Sequence, residues 1–504
     1  MVQVVAGRRA GRCRVTATGA EASVLPRAYG PAMRRPLVVA GTVLALACPL
    51  SVTAPALADR HDPGSTSGGD PYFPAAGNGG YDVDHYDLTL AYDPATGRLD
   101  GTAVVTLTAT ADLDSFSLDL RGLTATSVAV DGAQAGFEQQ PPDATGRGGE
   151  LVVRPRSGLG AGCTHRVTVV YGGVPGRPVD ATGALYGFVS FPDGAFVANE
   201  PEGASTWYPV NDVPTDKATY DFRITVPEGR TAVANGEPVG DPVTADGRTT
   251  FVWRATDPMA RYLSTASIGD YDTTTQTGPG GLPILDFVDR DLTAPNRATT
   301  EAALALQPQM IDFFADLYGP YPFTSFGAIV DDDTVEYALE TQTRPIYSQV
   351  ATESTIAHEL AHQWVGDSVS PATWRDIWLN EGFATYSQWM WTEYRGGPSA
   401  QQRFDEVLAT PAEDPFWSVP PGDPGAADLF APAVYDRGAA ALHALRGKIG
   451  EEAFRTLLRR WTTENAGGNV STTDLVDLAE EVSGQDLDDF STVWIGTPGK
   501  PVTW

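Results

Sequence analysis

Two histidines four residues apart, with a glutamate directly after the first, restrict how residues 355–364 can fold if they share one ion. Thr355-Ile356-Ala357-His358-Glu359-Leu360-Ala361-His362-Gln363-Trp364 brings both imidazoles to one face when it is an α-helix. Imidazole nitrogens suit zinc, and a catalytic site needs a third protein ligand and one position left for water. That ligand should come from a neighbouring helix crossing the first. Trp378-Leu379-Asn380-Glu381-Gly382-Phe383-Ala384-Thr385-Tyr386 supplies Glu381, nineteen residues after His362. Asn380 is the expected N-cap, which puts Glu381 in the first turn. Glu359 lies about 100° around the helix from His358, so it reaches a bound water as a base without being a ligand. Asp376 is expected to orient one imidazole through its other ring nitrogen. The other histidines, His61, His85, His165 and His443, show no such grouping and read as structural.

Upstream of this motif the hydrophobic pattern has a period of two. His85-Tyr86-Asp87-Leu88-Thr89-Leu90-Ala91-Tyr92 alternates, as do residues 103–109 and 115–120, with turn signals at Asp93-Pro94, Asp131-Gly132 and Pro141-Pro142. Short strands at this spacing predict an all-β domain over residues 80–270. Gly278-Pro279-Gly280-Gly281 reads as the hinge to a second domain. Beyond it the period becomes helical, with Ala303, Leu306, Met310, Phe313 and Phe314 on one face of a helix over 294–318. Further helices are expected at 352–366, 380–395, 436–447, 450–463 and 472–483, and strands near 326–331 and 343–348. The fold class is therefore α+β and multidomain: an all-β domain, then a mostly helical domain over 271–504. A chain of 504 residues is too long for one ordinary core.

Residues 1–58 read as a targeting segment with translation starting at Met33. Arg34-Arg35, an apolar run from Leu37 to Cys48, and Ala56-Leu57-Ala58 are the parts of a secretory signal cleaved after Ala58. A lipid anchor at Cys48 is the alternative. Residues 59–79 are rich in Gly, Ser and Pro and read as a flexible lead-in. The net charge is −30, of which residues 1–58 contribute +6, leaving −36 for the rest. Such acidity argues against nucleic acid as a partner and suits an extracellular protein. No later stretch reaches the roughly 18 apolar residues of a permanent membrane span. With Cys13 and Cys48 removed, Cys163 has no intrachain partner and reads as a buried small residue.

Together these residues resemble the M1 aminopeptidases, the zinc enzymes that include aminopeptidase N. That family carries H-E-x-x-H, eighteen residues, then E in a W-L-N-E-G-F-A context, and all of it stands here. Tyr208-Pro209-Val210-Asn211-Asp212-Val213-Pro214, continued by Lys217-Ala218-Thr219-Tyr220, is similar to the family's F-P-C-F-D-E-P segment. The resemblance runs from about Tyr81 to the C-terminus. It implies a β domain followed by a thermolysin-like (gluzincin) catalytic domain, one zinc ion per chain, and removal of N-terminal residues from peptides.

It also implies further roles. The exopeptidase motif falls on Tyr337-Ala338-Leu339-Glu340-Thr341, so Glu340 would bind the free α-amine while Ala338 and Leu339 line the substrate site. Glu200 matches the second amine-binding residue, and Tyr435 the tyrosine that contacts the tetrahedral intermediate. Tyr337, Leu339 and Thr341 replace the family's Gly, Met and Asn, which leaves side-chain preference open. Trp494-Ile495-Gly496-Thr497-Pro498-Gly499 resembles the close of the family's catalytic domain, so a more open site is expected than in longer members. Two alternatives stay open at this point: a zinc endopeptidase with the same metal site, and a non-catalytic binding protein of the same fold.

Overall fold

Alternating side chains make Tyr81–Asp93 and Arg98–Ala109 a long antiparallel hairpin, paired from Tyr81 opposite Ala109 to Asp93 opposite Arg98. Tyr86, Leu88, Leu90 and Tyr92 point into the core, as the period of two requires. The computed structural model describes residues 62–143 and 146–502. Met33, Cys48, the cleavage site after Ala58 and the first residues of the lead-in lie outside the described residues. Thr164–Gly173 extends the hairpin on one side, and Ala218–Pro227 runs parallel on the other, with Tyr220 opposite Tyr86. The resulting sheet has nine strands. A four-stranded sheet of Gly187–Ser190, Ala195–Ala198, Ala266–Gly269 and Thr231–Ala234 ends one strand two residues before Glu200.

A five-stranded sheet begins at Tyr271. Its order is Tyr271–Thr277, Pro283–Asp289, Ile329–Asp331, Ile346–Ser348 and Ala338–Leu339, with the last at the edge. Gly278–Gly281 is the turn joining the first two of these strands, which pair from Tyr271 opposite Asp289 to Thr277 opposite Pro283. The hinge reading of this segment is corrected. A polar strand exposed along most of its length carries no alternation, so its turn looked like a linker.

Helices follow. The expected helix over 294–318 is two, α1 (Ala294–Leu304) and α2 (Gln307–Tyr318), because Pro308 cannot donate within a continuing helix. Next come α3 (Glu353–His362), α4 (Trp378–Tyr394) and α5 (Ala400–Ala409), then α6 (Gly438–Ile449), α7 (Glu451–Glu464) and α8 (Thr472–Ser483). Helix α5 was not anticipated, although the Ser399/Gln402 capping box that starts it is legible in sequence. Among the described residues no helix is long and apolar enough to cross a membrane.

The lead-in is not flexible from Asp62 onward. Asp62–Pro63 pairs with the strand Leu113–Asp119. The Asp70 carboxylate accepts from its own backbone at Tyr72 and Phe73, and from the Trp374 amide at 2.7 Å. Phe73 is buried edge-on against the Trp374 ring. Gly/Ser/Pro content misleads because Asp70, Phe73 and Asn78, whose amide donates to Asn211 Oδ1 at 2.6 Å, anchor the segment through contacts distant along the chain. Cys163 is also corrected. It is half-buried rather than fully buried.

Asp70→Ala leaves the buried Trp374 amide without an acceptor. It should cost about 1–3 kcal/mol, seen as a lower urea midpoint at unchanged slope; an unchanged midpoint would restore the flexible reading.

Candidate active site

The first ligand helix is fixed at both ends. Thr352 caps α3 by accepting from the Thr355 amide, and Ile356, Ala357, Leu360 and Ala361 bury one side in the core. The opposite side carries His358 and His362, with ring centroids 4.8 Å apart. Helix α4 is buried from Trp378 to Trp391 apart from Gln388, its polar members Asn380, Glu381, Thr385 and Ser387 included. It presents Glu381 to both rings. Glu381 Oε2 lies 3.1 Å from His358 Nε2 and 3.5 Å from His362 Nε2.

The capping expectation is corrected. Helix α4 starts at Trp378, and Asn380 sits inside its first turn, donating to the Tyr262 hydroxyl at 3.1 Å. The Asp376 expectation is also corrected. Its carboxylate accepts from Thr472 and Thr373 and touches neither imidazole. The orienting acceptor is a backbone carbonyl instead: His362 Nδ1 donates to Val365 O at 3.0 Å. That bond turns the Nε2 lone pair toward Glu381. The chain doubles back through Gly366 at φ +128°, where a Cβ would meet His362 Nδ1 at 3.1 Å. A carbonyl partner has no residue-type signature, so sequence could not reveal it.

Charge in this cleft is strongly unbalanced. Glu340, Glu359 and Glu381 are buried, and Glu200 stands half-buried beside them. Among the described residues no Lys or Arg forms an ion pair with any of the four; the partners are His358 and His362, both of Glu381. Burial raises the Glu359 carboxyl well above the usual range, and Glu340 and Glu381 add to the effect against His362. Burial likewise pushes Glu340 up to about 7, with His362 opposing, and holds Glu200 well above its ordinary value with help from Glu340. Glu381 behaves oppositely. Burial would raise it, but His362 and His358 bring it down to about 2. Burial opposes a charge on His362, yet Glu340 and Glu381 outweigh it.

The donors fit zinc. Two imidazole nitrogens and a carboxylate oxygen lie within 4.8 Å of one another, the ligand set of a catalytic zinc site, and the surplus carboxylates favour a cation there.

The remaining expected residues gather around this centre. Glu200, Glu340 and Glu381 offer oxygens within 4.8 Å of one another, as do Glu340, Glu359 and His362 their ligand atoms. Glu200 Oε1 and Glu340 Oε1 are buried without a hydrogen-bond partner. Ala338 and Leu339 form the edge strand, and both line the same cavity of about 460 Å³ as His358, Glu359, His362, Glu381 and Tyr435. Tyr435 stacks on His358 at 6.1 Å between centroids. It sits in a π-turn, Ala433–Arg437, that leads into α6, a widened turn often found at functional sites. Gly382 and Gly438 let α4 and α6 come so close that a Cβ on Gly382 would lie 3.0 Å from the Gly438 backbone. Gln363 was missed. Its Nε2 donates to Glu340 O, and its Oε1 accepts from the Thr343 amide, tying α3 to the edge-strand segment. Its place directly after the second histidine was the available signal.

Residues 82–263 match the Peptidase M1 N-terminal domain, and residues 325–494 the Peptidase family M1 domain. A crystal structure of M1 zinc metallopeptidase from Deinococcus radiodurans superposes with a TM-score of 0.78 at 30% identity, over 86% of this chain and 98% of that one. The chain belongs to peptidase family M1. Among other M1 relatives, Aminopeptidase M1-C of Oryza sativa subsp. japonica is 26% identical over 60% of this chain and 37% of its own length. Aminopeptidase N of Streptomyces lividans is 28% identical over 64% of this chain and 39% of its own. The chain thus matches little more than a third of the length of these curated M1 relatives.

Metal analysis of the purified M1 protein should find about one zinc per chain. Glu381→Ala should lose it, while Asp376→Asn should retain it, because Asp376 bonds only to threonines. Loss of zinc from Asp376→Asn would reinstate the orienting role.

Proposed function

We propose that this protein is a zinc aminopeptidase that removes N-terminal residues from peptides bearing a free α-amine. The observation that carries this reading is the pair of buried, unpartnered oxygens on Glu200 and Glu340, grouped with the metal ligand Glu381. Buried acceptors without donors are costly. A substrate ammonium provides both charge and three N–H donors. A blocked amine provides neither, so the endopeptidase alternative leaves these two oxygens unexplained. A non-catalytic role leaves Glu359 and Tyr435 unexplained. A mutant of the Deinococcus M1 zinc metallopeptidase, 29% identical to this chain, has been crystallised bound to a Tyr-Ser-Ala substrate.

His358, His362 and Glu381 would hold the zinc, which when bound polarises a carbonyl and acidifies water. Glu200 and Glu340 anchor the ammonium and so fix which peptide bond reaches the centre. The edge strand Ala338–Leu339 offers unpaired backbone groups to an extended peptide. Glu359 accepts the proton of the attacking water and returns it to the departing amine. Its raised proton affinity in this cleft suits both halves of that transfer. The Tyr435 hydroxyl stays protonated, since burial and then the surrounding carboxylates raise its pKa. It donates to the oxyanion as that charge develops.

Export from the cell is part of the same proposal. Arg34-Arg35, the apolar run to Cys48 and Ala56-Leu57-Ala58 support it, and N-terminal sequencing of secreted protein should begin at Asp59.

Free peptides should be cleaved, and their N-acetylated forms should not. Glu340→Ala should raise KM steeply and also lower kcat, because the anchor positions the scissile bond. Equal cleavage of free and acetylated peptide would replace this reading with the endopeptidase. Tyr435→Phe should lower kcat about 100- to 1,000-fold with KM nearly constant. An ordinary kcat in a stable, zinc-loaded Tyr435→Phe protein would leave Tyr435 a packing residue.

A further inference from the structure

A second group of carboxylates lies away from the zinc ligands, where two parallel strands end. Pro283–Asp289 and Ile329–Asp331 run side by side with Val288 opposite Val330, so Asp289 and Asp331 emerge next to each other. The chain continues from Asp331 into Asp332 and Asp333. A tight turn in the β region, closed by the Phe191 amide on Gly194 O at 3.0 Å, brings Asp193 to the same place. Carboxylate oxygens of Asp193, Asp289 and Asp332 lie within 4.8 Å of one another. Three separate chain segments thus aim negative charge at one point.

Acidic side chains often cluster without consequence on a surface, but this cluster has a buried member that lacks a partner. Asp289 is 1% exposed. Its Oδ1 accepts from the Asp291 amide at 2.8 Å, while its Oδ2 is buried with no hydrogen-bond partner. Among the described residues no Lys or Arg forms an ion pair with Asp193, Asp289 or Asp332. The nearby Arg290 and Arg297 pair with Asp270, Asp272 and Glu301, and Arg297 Nη2 also donates to the Asp289 backbone carbonyl at 2.6 Å, not to its carboxylate. Burial pushes the Asp289 carboxyl up to about 7, and Asp331 and Asp332 add to it. Asp333 rises to about 9 through burial and then through Asp331 and Asp193. Charges in this arrangement must be neutralised by protons or by a cation.

We propose that Asp193, Asp289 and Asp332 form a site for a divalent, oxygen-coordinated cation of the calcium class. All three side-chain donors are hard oxygens, with no nitrogen or sulfur to favour a transition metal. Calcium accepts irregular shells of six to eight oxygens and fills open positions with water. Three carboxylates gathered from separate chain segments favour calcium over magnesium, which is usually held by one or two carboxylates and keeps several of its waters.

The position gives the cation a task. Asp193 precedes Glu200 by seven residues, and Asp332 precedes Glu340 by eight. A cation joining Asp193 to Asp332 would couple the two arms that carry the amine-facing carboxylates. That consequence rests on the proposed function, whereas the binding itself does not.

The test uses the full-length, zinc-loaded protein after gel filtration into calcium-free buffer, with CaCl2 as the probe. Residual calcium by metal analysis plus sites found by calorimetric titration should total about one per chain. The dissociation constant should be no weaker than roughly 10⁻⁴–10⁻³ M, the range of extracellular modules. CaCl2 should raise the thermal midpoint of the parent. Asp332→Asn and Asp289→Asn should each weaken calcium binding at least ten-fold. Without calcium, Asp332→Asn should be no less stable than the calcium-free parent, because removing one charge relieves repulsion. The proposal is overturned if the parent holds no calcium and takes up none at about 10 mM, ten times the weakest such sites. Unchanged affinity in both variants overturns it as well, as does calcium-free Asp332→Asn that is less stable than the parent. Each readout is taken without substrate, so failure of the amine-binding reading would leave this result standing.

Discussion

Three buried glutamates and a fourth half-buried beside them around one cleft, with no lysine or arginine among the described residues paired to them, are the constraint on which the rest of the structure depends. Glu200, Glu340, Glu359 and Glu381 would repel one another in a medium of low polarity, and the two histidines of α3 offset only part of that. Such a cleft is stable when cations enter it. A divalent metal at His358, His362 and Glu381 would answer one part of the excess, and in the proposed function a substrate ammonium at Glu200 and Glu340 would answer another. The same imbalance makes Glu359 a good proton acceptor and keeps the Tyr435 hydroxyl protonated.

Holding this arrangement requires support from both the β sheets and the helices. Tyr262 donates to Gly366 O, and Lys217 Nζ donates to the Asp367 and Ser368 carbonyls at 3.0 and 2.9 Å. Both residues belong to the β-rich region, and both grip the loop that begins beside His362. Gln363 joins that loop to Glu340. The β region therefore contributes more than Glu200: it clamps the backbone that orients a metal ligand.

Much of this was legible in the sequence because the required spacings are local. An i, i+4 pair of histidines is a helix statement, and the alternation of residues 85–92 is a strand statement. The three ligands, Glu359, Glu340, Glu200 and Tyr435 all line one cavity. What sequence missed depends on contacts distant along the chain or on the backbone. Asp376 lies near the motif in sequence but spends its oxygens on Thr373 and Thr472. Asp70 stands in a segment of linker-like composition, yet accepts from Trp374, some three hundred residues away. The Gly278–Gly281 turn reads as a hinge because a polar, exposed strand has no hydrophobic period. The Asp193, Asp289 and Asp332 group is invisible to any local reading, since its members come from three segments.

The most direct measurement of the central claim is the affinity of zinc-loaded Glu359→Gln protein for a peptide and for its desamino analogue, which lacks only the α-amine. Calorimetry on both ligands isolates what the ammonium contributes, with turnover suppressed. The account predicts that the amine improves binding at least 100-fold, and that Glu200→Gln together with Glu340→Gln erases the difference. Equal affinity for peptide and desamino analogue would contradict it, because the buried carboxylates would then be balanced by something other than the substrate.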